Sequence, residues 1–495
     1  ELPIAASDVD CILLTHAHID HSGLIPLMYV NGFRGQVYST SATAQLCEIM
    51  LRDSAHIQMF EAEWRNRKAA RSGGKLKEFV PLYDMDAAVN VCKQFVGCEY
   101  DRVYDIAEGI KIRFTDVGHL LGSASIEVWA TEKTENGDVT EKIVFSGDIG
   151  NINKPIIKDP KHVRDADYVV MESTYGNRSH GGTPNYVEDL TDIFKRTFER
   201  GGNVVIPSFA VGRTQELLYI IRKIKEDNLV GRDFDVYMDS PLAIEATNIF
   251  IKNVESCFDD DAVELVRKGI NPLSFPGLKY ATTCDESKQI NFDPNPKVII
   301  SSSGMCEAGR IRHHLKHNLW RPECTIVFVG YQAVGTTGRI IVDGAEEIKL
   351  FGEPIQIKAE IVQLKGSSGH ADKDGLLCWI NAFDTKPKKV FVVHGEDSVC
   401  DEFTECLKEE YGYDAMAPYT GGSYDLIADR VISEGVKERK TRRTTSTQRG
   451  KTVFDRLVAA GKRLMTVITH NEGGTNKDLA KFTDQINALC DKWDR

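Results

Sequence analysis

Four metal-capable side chains fall within six residues in His16-Ala17-His18-Ile19-Asp20-His21, directly after an apolar run from Cys11 to Thr15. Imidazole nitrogens and carboxylate oxygens are the donor set that zinc and similar borderline cations take. One histidine after a strand is usually an ordinary structural residue, whereas four donors in HxHxDH order point to a metal centre. Further donors follow other apolar runs, each beside a glycine: His119 in Val117-Gly118-His119, Asp148 in Ser146-Gly147-Asp148, and His394 in Val393-His394-Gly395. Singly, each reads as a turn or capping residue. Their shared placement, a polar donor after an apolar strand, is what sets them apart.

The elements that must position these donors can be read from periodicity. Val9 to Thr15, Ile110 to Val117, Ser123 to Trp129 and Lys142 to Ser146 predict strands, and Ala42 to Arg71 a long helix. Strand ends are where layered α/β proteins place their chemistry. Between 177 and 364 the pattern changes to strand-then-helix units, such as Asn203 to Ser208 with Arg213 to Lys225 and Lys297 to Ser301 with Glu307 to Asn318. That is a doubly wound pattern. Residues 365–434, with a strand over Lys389 to Val393, resemble the first region again. Residues 435–451 carry seven Lys/Arg against one Glu, a balance of +6, and read as a solvated linker. Apolar residues at helical spacing on both sides of Gly473-Gly474 then predict a helical hairpin over 452–495.

Composition sets limits on the whole. The chain has 495 residues, 42% hydrophobic and 27% charged, which suits a soluble protein of two or three domains and excludes disorder. No run approaches the roughly 18 to 20 apolar residues of a membrane span, and no signal peptide is visible, so a cytoplasmic protein without membrane contact is expected. Twelve scattered cysteines without a CxxC pair suggest free, mostly buried thiols in a reducing compartment. A net charge of −12 argues against a surface that binds nucleic acid everywhere, and leaves room for a local basic cleft. The chain opens at Glu1 and enters an apolar run within ten residues, which reads as a sequence lacking its N-terminal part.

The order HxHxDH, Gly-His, Gly-Asp resembles the metallo-β-lactamase fold of metallohydrolases. Met171-Glu172-Ser173-Thr174-Tyr175-Gly176, Ser368-Gly369-His370-Ala371-Asp372 and Val393-His394-Gly395-Glu396 resemble motifs A, B and C of its β-CASP branch of nucleases. That branch includes RNase J and the endonuclease subunit of the eukaryotic pre-mRNA cleavage and polyadenylation machinery. The resemblance runs from about residue 9 to 430. It implies an α/β fold: a metallo-β-lactamase αββα sandwich with an inserted doubly wound β-CASP domain and a C-terminal helical extension. Residues 1–176 and 365–434 would form the sandwich, with its first strands missing, and 177–364 the insertion.

The resemblance also implies roles. His16, His18 and His119 would hold one metal and Asp20, His21 and His394 a second, with Asp148 bridging; two zinc ions are expected, with manganese as an alternative. Two close cations can share one water, lower its pKa toward neutrality and offset charge on a phosphate. His370 and Glu172 match the family's general-acid pair, completing a catalytic set with Asp20 and Asp148. An imidazole oriented by a carboxylate stays protonated to higher pH. Within the insertion, Ser208 to Arg213, Ser303-Gly304-Met305 with Gly309-Arg310, and Gly330-Tyr331-Gln332 with Gly338-Arg339 resemble cleft-lining segments. Ser208, Arg213, Ser303, Arg310 and Arg339 are therefore candidate phosphate contacts, glycine letting the backbone approach and arginine gripping in a fork.

His313, His314 and His317 share a predicted helix without matching carboxylates and read as a polar face near the cleft. His56, His162, His180 and His470 carry no signal. The expected activity is metal-dependent hydrolysis of single-stranded RNA, as an endonuclease or a 5′-exonuclease, with a homodimer as a further expectation. The alternatives are a DNA nuclease or other metallohydrolase of the same fold, and an inactive scaffold partner in an RNA-processing complex. Intact donor positions argue against the scaffold, and the large insertion against a small-molecule substrate.

Overall fold

The computed structural model describes residues 4–493 apart from 72–78, 136, 180, 182–184, 365–367, 438–451 and 473–474. The basic run expected as a linker therefore lies, from 438 onward, outside the described residues. No helix among them is long and apolar enough to cross a membrane.

Two sheets stack at the centre of the first architectural unit. A three-stranded parallel sheet places Gln36–Thr40 between Cys11–Leu13 and Phe95–Cys98. A seven-stranded mixed sheet runs in the order Ala415–Met416, Lys389–Val392, Tyr168–Met171, Gly137–Phe145, Ala124–Thr134, Ile110–Asp116, Val103–Ala107. Ile112, Phe114, Ala124 and Ile126 of the larger sheet bury their side chains together with Leu13 and Tyr38 of the smaller one. Helices Ser41–Arg71 and Met85–Cys92 cover the outer face of the small sheet, burying Leu46, Leu51, Ala88 and Val91. On the far face, Lys373–Ile380 and Asp397–Glu409 pack Trp379, Ile380, Phe403 and Leu407 against Val144, Val169 and Met171. The expected αββα layering is thus present, each amphipathic helix closing one apolar sheet face. Lys389–Val392 joins this sheet beside Tyr168–Met171, although more than two hundred residues separate them.

The second unit is a six-stranded sheet, every pair parallel, in the order Leu278–Tyr280, Asp235–Asp239, Lys297–Ser301, Val204–Pro207, Thr325–Val329, Glu360–Leu364. Three of its four inner strands are buried on both faces, as parallel sheets flanked by helices require. All four residues of Val204–Pro207 are buried. Parallel order sends every loop at the carboxyl ends of these strands to one edge, and that edge carries the Gly-Arg segments.

Several predicted bounds shift for local reasons. The strand predicted from Lys142 starts at Gly137, because its first residues pair with Thr131–Thr134 in a polar hairpin arm outside the core. The helix predicted from Glu307 starts at Ile311, after a turn in which Gly309 has φ +81°. Helices Thr452–His470 and Asn476–Trp493 follow the basic run. All twelve cysteines are free, and six of them are buried, fewer than expected.

Candidate metal centre and active site

The segment Thr15 to Ser22 is held as a tight turn. Ala124 N donates to Thr15 O at 2.9 Å, and the Ser22 hydroxyl donates to the carbonyls of Ala17 (2.9 Å) and His18 (3.0 Å). These bonds fold three imidazoles back toward one point. The Ser-Gly-Asp turn reaches the same point because Gly147 has φ +59°, where a side chain is disfavoured. A Cβ there would also stand 2.9 Å from Ala124 O and from Thr15 Cβ. His394, at φ +50°, is a non-glycine residue in the left-handed region, a strained conformation of the kind that clusters at functional sites.

All seven proposed ligands converge. Asp148, buried at the centre, turns Oδ2 toward His16 Nε2 (3.3 Å) and His119 Nε2 (3.6 Å), and Oδ1 toward His21 Nε2 (3.3 Å) and His394 Nε2 (3.1 Å). His18 Nδ1 lies 3.0 Å from His119 Nε2, and His21 Nε2 lies 2.8 Å from His394 Nε2. Asp20 Oδ2 is 3.7 Å from His21 Nε2 and 3.8 Å from His394 Nε2. The seven fall into two donor groups, His16, His18, His119 with Asp148, and Asp20, His21 with His394, and Asp148 also groups with Glu172 and His370. His16 Nε2 and Asp148 Oδ1 are buried yet lack a hydrogen bond of acceptable geometry. Buried polar atoms are rarely left so, and an N/O donor set converging on orphaned atoms fits zinc.

The electrostatics divide the cluster. Burial pushes His16 below the ordinary histidine range, and His18 and His119 well below it, so these rings are neutral. Asp148 is also opposed by burial, but the facing imidazoles of His16, His21 and His394 hold its carboxyl far below the usual range. His394, against the Asp148 carboxylate, is pushed up to about 9.

Outer contacts orient the rings. Thr15 Oγ1 sits 3.1 Å from His16 Nδ1, and the Gly369 carbonyl 3.1 Å from His119 Nδ1. Such partners fix the tautomer of a ligating histidine. Glu172, at the end of Tyr168–Met171, is buried; it accepts from Ile149 N, and its Oε2 is 3.1 Å from His370 Nδ1. Burial lowers the pKa of His370, but the Glu172 carboxylate outweighs it and the net shift is upward. His370 Nδ1 is 4.0 Å from Asp148 Oδ2, so the Glu172–His370 pair adjoins the donor cluster. Asp372 serves elsewhere: its carboxylate accepts from Gly375 N and caps the helix Lys373–Ile380.

The three Gly-Arg pairs leave three adjacent strands, Lys297–Ser301, Val204–Pro207 and Thr325–Val329, at their carboxyl ends. Arg213 pairs with Glu216 and Arg339 with Asp343. Arg310 donates to Asp239 Oδ1 (2.7 Å), Ala281 O and Thr282 O (both 2.9 Å), so its guanidinium anchors the loop. Ser208 is buried, its hydroxyl accepting from Thr214, and Ser303 Oγ bonds within its own turn to Ala308. The histidine helix departs from its expected polar face. His314 is fully buried, with Nε2 2.6 Å from Asp239 Oδ2 and Nδ1 3.0 Å from Asn291 Oδ1, while His313 stacks on Phe351. A buried carboxylate, Asp239, draws the ring inward.

Sequence reasoning missed Ser123, Lys154 and Glu216. Ser123 Oγ accepts from the backbone N–H of His119 (3.0 Å) and Leu120 (3.1 Å). Lys154 Nζ donates to His119 O at 2.8 Å and faces Glu216 at 3.4 Å. A lysine in a polar loop carries no sign of such a contact in the sequence.

The chain is similar to known proteins over most of its length. The Beta-Casp domain family matches residues 214–341, and the Zn-dependent metallo-hydrolase RNA specificity domain family matches 354–418, which contain His370 and His394. The chain is 34% identical over 390 residues to Ribonuclease TTHA0252 of Thermus thermophilus, covering 79% of this chain and 82% of that protein. It is 31% identical over 392 residues to the RNase J-like protein of Methanocaldococcus jannaschii, covering 78% and 82%. Transcription termination factor FttA of Methanosarcina mazei is 32% identical over 421 residues, 83% of this chain and 62% of that longer relative. With the HxHxDH, Gly-Asp and Glu172–His370 geometry, these similarities place the chain in the β-CASP family of metallo-β-lactamase-fold nucleases.

Proposed function

We propose that this protein is a two-zinc ribonuclease that hydrolyses phosphodiester bonds of single-stranded RNA. The observation that carries the reading is Asp148, a buried carboxylate whose two oxygens face two separate sets of imidazoles beside the Glu172–His370 pair. On this reading His16, His18 and His119 hold one ion, Asp20, His21 and His394 the other, and Asp148 bridges. Two zinc ions, when bound, supply the Lewis acidity that makes water a nucleophile at neutral pH and offsets charge on the phosphate.

The chain's own residues do the rest. His370, with Nδ1 directed at Glu172, offers Nε2 to protonate the departing oxygen. Glu172 keeps that ring charged and oriented, and is itself fixed by Ile149 N and by burial. The loop edge of the six-stranded sheet, with Arg213, Ser303 and Arg339, is the proposed path for the strand of RNA, and Ser208 and Arg310 brace its loops from inside. Relatives named as ribonucleases support RNA over DNA as the substrate.

The test is incubation of the zinc-loaded chain with end-labelled single-stranded RNA and DNA of one sequence. RNA cleavage is expected, with H370A slower by about 100-fold or more at unchanged zinc content. RNA left whole by folded, zinc-bound protein would overturn the reading, DNA-only cleavage would replace it, and loss of zinc in H370A would make His370 a ligand.

A further inference from the structure

We propose that Lys154 is a positioning residue that ties the metal-binding loop at His119 to the helix Arg213–Glu226, and so sets the six-stranded unit in register with the metal centre. This rests on the reading of His119 as a zinc ligand and of Arg213 as part of the RNA path.

Three polar groups of His119, besides the ring Nε2 that faces His18 and Asp148, are each held by a different residue. Its N–H goes to Ser123 Oγ, its ring Nδ1 faces Gly369 O, and its carbonyl accepts from Lys154 Nζ at 2.8 Å. Lys154 in turn faces Glu216 Oε1 at 3.4 Å, and the other oxygen of Glu216 pairs with Arg213. The side chains of Lys154 and Glu216 are only 11% and 10% exposed. They border a recess closed by Leu120, Ile156, Ile157 and Phe250. Gly212, just before the helix, also sits against Leu120 of the ligand loop, where a Cβ would stand 3.1 Å from Leu120 Cδ1. The pair is largely shielded from water, and losing one member of such a pair leaves the other buried and unpaired. A shift of the helix is therefore transmitted through Glu216 and Lys154 to the backbone of a ligand, and the reverse. An exposed lysine would give no such coupling.

The experiment measures zinc affinity of the full chain by competition with a chromogenic chelator, for wild type, K154M, E216Q, K154M/E216Q and K154R, alongside thermal unfolding and steady-state cleavage of single-stranded RNA. K154M and E216Q are each expected to weaken zinc binding by about 10-fold or more, the range of outer contacts to metal ligands. The double variant should be no worse than K154M alone, since one chain of contacts is broken twice. K154R, which retains donors at this position, should recover most of the affinity. In cleavage, E216Q should raise KM more than it lowers kcat, because it weakens one contact that positions Arg213, whereas K154M should lower kcat. Zinc affinities of K154M and E216Q within about 2-fold of wild type, losses that add in the double variant, or a K154R protein as weak as K154M would overturn the proposal. If K154M does not fold, E216Q and K154R decide it by the same criteria. If wild type leaves RNA intact, the functional reading fails, while the zinc series still tests the strut.

Discussion

The two halves of the donor cluster share Asp148 but occupy different surroundings. His16 and Asp148 are essentially inaccessible, at 0% and 2% side-chain exposure, whereas His394 is 34% and Asp20 64% exposed. In the buried half, desolvation keeps His16, His18 and His119 neutral, so their nitrogens can accept a cation without first losing a proton. In the open half, the Asp148 carboxylate raises His394 to about 9, so a proton occupies that ring at neutral pH until a cation displaces it. A single centre thus combines a preorganised, water-excluded side with a side open to substrate. The asymmetry follows from where the chain places each donor. His16 and His119 follow the strands Cys11–Leu13 and Ile110–Asp116 and are buried, while Asp20 lies exposed in the one-turn helix Ile19–Ser22 and His394, in the left-handed region, follows Lys389–Val392.

The largest effect that can break this comparison is removal of the shared carboxylate. D148A should empty both halves and reduce RNA cleavage by more than the roughly 100-fold seen for outer contacts, with zinc content read by mass spectrometry. Retention of both ions would show that Asp148 does not bridge. Next comes the difference between the halves. Stepwise chelation should release one zinc before the other, and H394A should bind one ion where wild type binds two. Simultaneous release from wild type, or an H394A protein that keeps two, would remove the asymmetry. The smallest expected effect concerns the acid. Glu172 raises His370, which donates only while protonated, so activity holds below the His370 pKa and falls as pH rises through it. E172Q removes the raising charge, and its alkaline limb should move to lower pH; an unmoved limb would mean that His370 is not the acid.

Much of this centre was legible because each donor is a polar residue that ends an apolar strand next to a glycine. His119, Asp148 and His394 stand out in that way, and the motif order supplied their grouping. The long helix Ser41–Arg71 and the parallel unit were legible for a similar reason, since their periodicities run long enough to be distinctive. The polar hairpin between Thr131 and Thr140 was not, because a solvated arm carries no apolar alternation and is held by cross-strand pairing alone. His314 misled because helical spacing says nothing about Asp239, which comes from a strand 75 residues earlier and draws the ring into the interior. Lys154 and Glu216 were invisible for the same reason, as 62 positions separate two residues that meet only when the units pack. Local pattern reports what ends a strand, and packing decides what that residue touches.

The proposed reaction is hydrolysis by water at a two-zinc centre. Single-turnover cleavage of a defined single-stranded RNA in ¹⁸O-enriched water, by protein carrying two zinc ions, tests it most directly. One solvent oxygen in the phosphate of the product and no 2′,3′-cyclic phosphate are expected. A cyclic phosphate, or a product phosphate free of solvent oxygen, would contradict it.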